Sequence, residues 1–225
     1  MIIYGKRVCL YVLEKHFDII RKIYLSKEIE KNIFNKLQKL GKKIVRIDNK
    51  KAQALAKGGN HQGIFLEVEE FNFTPFKEIK NYDFLLILYK ITDSGNIGAI
   101  VRTAYALGVD GIVISDIKSV KTETIARTSS GALFDMPISL VPSASEAVNE
   151  LKQTGSEIYA ADLNGEDIET VNFPKKKTLI LGSEGEGIPN KLLKKADKVV
   201  TVKLKRDFDS LNVSAAAAIL CYRMR

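Results

Sequence analysis

Cysteine is scarce in this chain of 225 residues: Cys9 and Cys221, near opposite ends, are the only two. Two thiols form at most one bridge, so a disulfide framework is excluded, and their separation has no metal-ligand spacing. Histidine is equally rare, and His16 and His61 alone cannot complete a structural zinc site; no metal is expected. Long hydrophobic runs are missing as well. The longest, residues 84–89 and 215–221, fall far short of a membrane span. Lys6 and Arg7 interrupt the apolar stretch that would open a secretory signal. The expectation is a soluble, cytoplasmic protein with no membrane association. Internal repeats and low-complexity tracts are absent too.

What is present is a globular composition with an uneven charge. Hydrophobic residues make up 45% and charged residues 28%, which argues against wholesale disorder. Residues 1–82 hold 17 Lys+Arg against 9 Asp+Glu, whereas residues 83–225 hold 18 of each. The whole cationic excess of +8 therefore lies in the first third. A basic module suits a polyanion, because each neutralised phosphate releases condensed counterions. The plainer reading is a small domain solubilised by lysine, and composition does not separate the two.

The pattern along the chain gives an α/β fold in two parts. Residues 1–69 read as a small α/β module. Its strands are expected at the start of 2–12 and at 23–25, 43–47 and 63–68. Helices are expected through Leu10, Leu13, Phe17 and Ile20 and at 29–40 and 51–56, with Gly41 as a stop. Residues 70–82, with Pro75 and mixed charge, carry no clear period and read as a linker. From residue 83 to 225, buried strands at 84–89, 111–115, 137–141, 157–161, 178–181 and 198–202 alternate with helices at 97–107, 123–129, 144–153, 190–196 and 211–223. Such alternation predicts a mainly parallel sheet covered on both faces, with ligands bound beyond the carboxyl ends of the strands.

Three loops at those ends carry polar chemistry. The first, Asp93-Ser94-Gly95-Asn96-Ile97-Gly98, opens a helix on which Arg102 follows Gly98 by four residues, with open space expected in front of the arginine. A capped helix with a solvated arginine is the plainer alternative. The second, Gly182-Ser183-Glu184-Gly185-Glu186-Gly187-Ile188, has three glycines within six residues, which permit positive φ and close backbone approach. Two acids there would repel a pyrophosphate, and neither nucleotide fingerprint is met, which argues against a nucleotide-binding oxidoreductase. They suit a ligand with cationic groups, or else the loop is an ordinary tight turn. The third, Asp209-Ser210-Leu211-Asn212-Val213-Ser214, opens an alanine-rich helix that Asp209 or Ser210 can cap, with Asn212 offering both donor and acceptor. His61, before the strand at 63–68, either closes a turn or stacks on a base, the turn being the commoner role.

Order and spacing together resemble the signature motifs of the SpoU (TrmH-like) RNA ribose 2′-O-methyltransferases of the SPOUT superfamily. The first motif is matched by Asp93, Asn96, Gly98, Arg102, Thr103 and Ala104. The second is matched by Leu181, Gly182, Glu184, Gly185 and Gly187, and the third by Ser210-Leu211-Asn212-Val213-Ser214. Tyr4-Gly5, Val12-Leu13-Glu14 and Asn60-His61-Gln62-Gly63-Ile64 are similar to the family's ribosomal-protein-like RNA-binding domain. That arrangement resembles the subgroup acting on a guanosine of 23S rRNA. The chain departs from the pattern at Ser94, where the family has proline, and at Lys203 and Arg206, where it has proline and glycine.

The resemblance implies a deep trefoil knot, S-adenosylmethionine as cofactor, an RNA substrate and a homodimer with active sites completed across the interface. It places the cofactor against Gly182, Ile188, Val202, Leu204 and Leu211. It assigns the chemistry to Arg102, Asn96, Glu184, Ser210 and Asn212. A guanidinium holds its proton too tightly to be a good base, so Arg102 is expected to orient the ribose hydroxyl rather than deprotonate it. Transfer RNA as substrate, or a non-catalytic ribosome-assembly factor, are the competing readings; retention of the polar site residues counts against the second.

Overall fold

In the computed structural model, which describes residues 1–225 apart from the Lys36 side chain, the chain builds two sheets. The first is formed by β1 (Ile2–Tyr4), β2 (Ile20–Leu25), β3 (Ile44–Arg46) and β4 (Ile64–Val68), in the order β1-β4-β2-β3. Helices α1 (Lys6–Lys15), α2 (Lys31–Lys39) and α3 (Asn49–Leu55) connect its strands. The apolar spacing Leu10, Leu13, Phe17, Ile20 fits one helix, yet α1 ends at Lys15. A 3-10 turn at Phe17–Ile19 follows, and Ile20 pairs with Val68 of β4. Ladder pairing and burial of Ile20, Ile23 and Leu25 override the helical period there.

The second sheet has six strands, all parallel: β5 (Phe84–Tyr89), β6 (Gly111–Ser115), β7 (Ile138–Val141), β8 (Glu157–Asp167), β9 (Lys177–Gly182) and β10 (Lys198–Thr201). Their order is β10-β8-β9-β5-β6-β7. A short α4 (Phe76–Ile79) precedes them, and α5 (Ser94–Ala106), α6 (Thr122–Thr128), α7 (Ala144–Gln153), α8 (Asn190–Leu193) and α9 (Val213–Met224) cover the faces. Side chains alternate across the pleat. Leu85, Ile87, Val113, Ile158 and Ile180 meet Ala147, Val148 and Leu151 of α7. Leu86, Leu88, Ile112, Leu179 and Leu181 pack instead with α5 and α9, through Ile97, Ile100, Val101, Leu220 and Cys221. Cys9 and Cys221 are both buried and unpaired, and burial pushes the Cys221 thiol up to about 12.

The two sheets share one core. Ile3, Val8 and Val12 belong to the same apolar cluster as α5, α6 and α9. The Tyr11 hydroxyl donates to Asp135, the Arg127 guanidinium lies 5.6 Å from the Tyr4 ring centre, and His16 Nε2 is 3.2 Å from Asp135 Oδ1. The segment between the sheets is also held: Phe71 and Phe73 pack edge to face, the Thr74 N–H donates to the Ile138 carbonyl at 2.8 Å, and Ile79 of α4 is buried.

One strand differs in kind from its sequence pattern. The apolar run 157–161 suggests five residues, but β8 continues to Asp167. Its register against β10 jumps from Ala160↔Val199 to Glu166↔Val200, so residues 161–165 bow out of the ladder. A Cβ at Gly165 would lie 2.5 Å from the Val200 carbonyl carbon, so this close approach requires glycine.

Candidate active site

The three polar loops leave the carboxyl ends of β5, β9 and β10, strands that lie on both sides of the sheet centre. After β5, Lys90 takes a left-handed φ of 51°, and Asp93 Oδ1 accepts the Asn96 N–H at 2.7 Å to cap α5. This cap presents Asn96 in the first helical turn. After β9, the Gly187 N–H returns to the Ser183 carbonyl at 2.9 Å, closing a tight hairpin with Glu184 at its bend. Any side chain at Gly182 would meet the Gly187 carbonyl carbon at 2.5 Å. After β10, the cap of α9 is Asn212, whose Oδ1 accepts the Ser214 N–H at 3.0 Å. The sequence pointed to Asp209 or Ser210 for that role, but the first helical residue is Val213, which puts Asn212 at the cap.

These loops converge on one carboxylate. Glu184 Oε1 accepts from Asn212 Nδ2 at 2.6 Å, Asn96 Nδ2 at 3.3 Å and the Val213 N–H at 3.4 Å. Asn212 Nδ2 also donates to Asn96 Oδ1 at 3.1 Å. Residues separated by 116 positions in sequence thus form one hydrogen-bonded cluster.

Beside the cluster opens a cleft of about 430 Å³. Its apolar lining comes from Leu181, Val200, Val202, Leu204, Leu211 and Leu220. Gly182 and the glycine loop form one wall, and Ser210 sits at the rim. Four carboxylates surround it, from Asp162, Glu184, Glu186 and Asp209. Glu186 is strapped to Lys90 at 2.9 Å, and that hydrogen bond raises the Lys90 ammonium above its usual range.

Of the ten site residues named from the sequence, Gly182, Glu184, Val202, Leu204, Ser210 and Leu211 line the cleft, and Asn96 and Asn212 join it through Glu184. Two stand apart. Ile188 is 5% exposed and packs among Leu192, Ile180 and their neighbours on the other face of the sheet. Arg102 is exposed on α5 and, among the described residues, has no hydrogen-bonded or ionic partner. Nor does Gly98 share its outlook: it is buried against α6, where a Cβ would fall 1.8 Å from Thr128 Oγ1. His61 is buried, accepts the Gly63 N–H on Nδ1 at 3.0 Å and stacks on Phe65, so it closes the turn.

Ala161, Asp162 and Leu163 also line the cleft, because the excursion of β8 carries them there. Nothing in the apolar pattern marks Asp162 and Leu163; only Gly165, three residues before the 3-10 turn at Ile168–Thr170, hints at a bulge. Among the described residues, no group of three His, Cys, Asp or Glu side chains is arranged to hold a metal, and no helix is long and apolar enough to cross a membrane.

Comparison with known proteins adds the following. Residues 83–222 match the family described as the SpoU rRNA Methylase family, and residues 2–74 match RNA 2′-O ribose methyltransferase substrate binding. An uncharacterized tRNA/rRNA methyltransferase of Borreliella burgdorferi is 32% identical over 93% of this chain and 97% of its own length. A protein of the same description from Archaeoglobus fulgidus is 34% identical over 71% of each chain. Among solved structures, the S-adenosylmethionine-bound rRNA methyltransferase of Sinorhizobium meliloti superposes with a TM-score of 0.81 at 22% identity, covering 100% of this chain and 86% of that one. The SpoU methyltransferase AviRb of Streptomyces viridochromogenes, also with S-adenosylmethionine, gives 0.78 at 22% identity, covering 100% and 88%. At such identity these structures speak to the fold.

Proposed function

Because this chain belongs to the SpoU rRNA methylase family, we propose that it is an S-adenosylmethionine-dependent RNA ribose 2′-O-methyltransferase. The observation carrying this reading is the Asn96–Glu184–Asn212 cluster at the mouth of an apolar cleft with an acidic rim. The cleft suits the cofactor chemically. Leu181, Val202, Leu204 and Leu211 offer an apolar bed for an adenine ring, and the glycine hairpin offers close backbone approach. The rim carboxylates complement a sulfonium and an ammonium. When bound, S-adenosylmethionine supplies an electrophilic methyl group on a sulfonium.

The chain's own residues then bind and orient the acceptor. A ribose hydroxyl is a weak nucleophile, and fixing it in attack geometry can supply several of the roughly 7–11 kcal/mol available from positioning. Glu184 is held by three donors from two other loops, so it enters the site already oriented. Asn96, Ser210 and Asn212 present polar groups to the ribose. Arg102, with no hydrogen-bonded or ionic partner among the described residues, is read as completing the site of a second copy, where its guanidinium orients the hydroxyl and adjacent phosphate. This reading includes a homodimer, a trefoil knot at the carboxyl end of the chain, and an RNA-binding role for residues 1–69 joined by 70–82 to a catalytic unit at 83–225. The finer substrate we favour is a guanosine of 23S rRNA, on the resemblance of Tyr4-Gly5 and Asn60-His61-Gln62-Gly63-Ile64 to that subgroup.

Two measurements test it. Calorimetric titration should show S-adenosylmethionine binding; no binding would end the cofactor assignment. Mass spectrometry of nucleosides, after incubation with ribosomal and transfer RNA fractions, should find a 2′-O-methylguanosine in the ribosomal fraction. A mark confined to transfer RNA would replace the substrate, and a base methylation would overturn the chemistry.

A further inference from the structure

Phe208 is 73% exposed, the highest value among the exposed large apolar side chains of the described residues. It lies on the loop between β10 and α9, two residues before Ser210 at the cleft rim and four before Asn212. On the same loop are Lys203, Lys205 and Arg206, all exposed and, among the described residues, without ionic or hydrogen-bonded partners. This grouping is a local excess of positive charge within residues 83–225, which hold 18 charges of each sign. Asp209 lines the cleft, which leaves Asp207 as the one acid against three cations in the loop segment 203–208.

An exposed aromatic ring among unpaired cations suits single-stranded nucleic acid, whose bases stack on the ring while its phosphates meet the cations. A contact between copies of the chain fits less well, since burial there would strand three uncompensated charges. Distance favours the target nucleotide itself. Two residues of extended chain span at most about 7 Å, so the Phe208 ring is within reach of a base whose ribose lies beside Ser210 and Asn212. We propose that Phe208 is the stacking platform for the base of the methylated nucleotide, with Lys205 and Arg206 holding its flanking phosphates. This rests on the methyltransferase reading above and adds the residue that positions the base. Because a ring face accepts every base, the platform holds the nucleotide unstacked from its neighbours without selecting its identity.

The chain has no tryptophan, so Phe208→Trp introduces a single indole reporter. Single-stranded poly(A) should quench its emission, while sodium polyphosphate, which has charge and no bases, should not. In parallel, Phe208→Ala should bind labelled oligo(A) roughly ten-fold more weakly by fluorescence anisotropy, the size expected for one lost stack. Its affinity for S-adenosylmethionine and its mass by light scattering should match the unaltered protein. The proposal fails if the indole stays unquenched while anisotropy reports RNA binding, or if polyphosphate quenches it equally. It fails also if Phe208→Ala alters the oligomeric mass, which would make the residue a contact between copies. Absence of S-adenosylmethionine binding by the unaltered protein would instead remove the underlying enzymatic reading, so the two failures are distinguishable.

Discussion

Gly98 shows how one residue in a signature motif acquires its role from packing. A Cβ at that position would sit 1.8 Å from Thr128 Oγ1, 2.9 Å from Thr128 Cβ and 3.0 Å from the Ile125 carbonyl oxygen. Thr128 Oγ1 is itself fixed by a 2.9 Å bond to the Thr124 carbonyl. The glycine therefore permits α5 to cross α6 closely, and α5 in turn carries Asn96 to the cleft. Gly98→Ala should lower stability by about 1–3 kcal/mol, the usual cost of overpacking, seen as a reduced urea midpoint. Adding Thr128→Ala should recover only part of the loss, because the Ile125 carbonyl and the residue-128 Cβ remain in place. An unchanged midpoint for the single variant would remove this account. At this scale the sequence was informative where a polar residue lies in the connection that follows a buried strand, as Asn96, Glu184 and Asn212 do. It was silent about Asp162 and Leu163, whose place depends on a register jump, and it did not reveal that Ile188 turns into the opposite core.

Strands were readable as elements because parallel strands buried on both faces appear as unbroken apolar runs, and 84–89 and 111–115 match β5 and β6 to the residue. Where two periods compete over a short stretch, as between α1 and β2, long-range pairing decides and the local pattern does not. The start of β8 and the turn before β10 show what fixes such pairing. Asp197 Oδ2 accepts the Ile158 N–H at 2.8 Å, and its Oδ1 meets Lys152 of α7 at 2.6 Å. Burial pushes this carboxyl up, but the Lys152 ammonium and the Ile158 N–H outweigh it, and the net effect holds Asp197 below the usual carboxylate range. A folded-state pKa below the unfolded value of 3.8 means that the unfolded chain binds the proton more readily. The stabilisation is thus present above that value and is lost as pH falls through the folded pKa. Asp197→Asn keeps an acceptor for Ile158 yet removes the charge. Its urea midpoint should fall below that of the unaltered protein at pH 7, and the gap should close as pH drops below about 4. A gap that persists undiminished in acid would show that geometry, not ionisation, matters there.

For the molecule as a whole, the sequence located its positive charge in the first 82 residues and its polar loops in the remainder. It did not show how the two parts are joined. The shared core and the Tyr11–Asp135 contact fix the basic module against α6, and α5 and α9 lie beyond it on the same face of the large sheet. Arg102 is exposed and, among the described residues, unpaired, and the Glu184 cluster contains no guanidinium among them. If the site is finished by a second copy, the two halves should complement one another. Arg102→Ala and Glu184→Ala proteins should each be inactive as pure dimers. Mixed under conditions that exchange subunits, half of the dimers become mixed pairs, and each mixed pair has one site with an intact Glu184 and the partner's arginine. Activity should then return to about a quarter of the unaltered level, as two-fold pairing with shared sites requires. An arginine acting within its own chain leaves every site in the mixture lacking one group, so a mixture as inactive as its components would rule out completion across the interface.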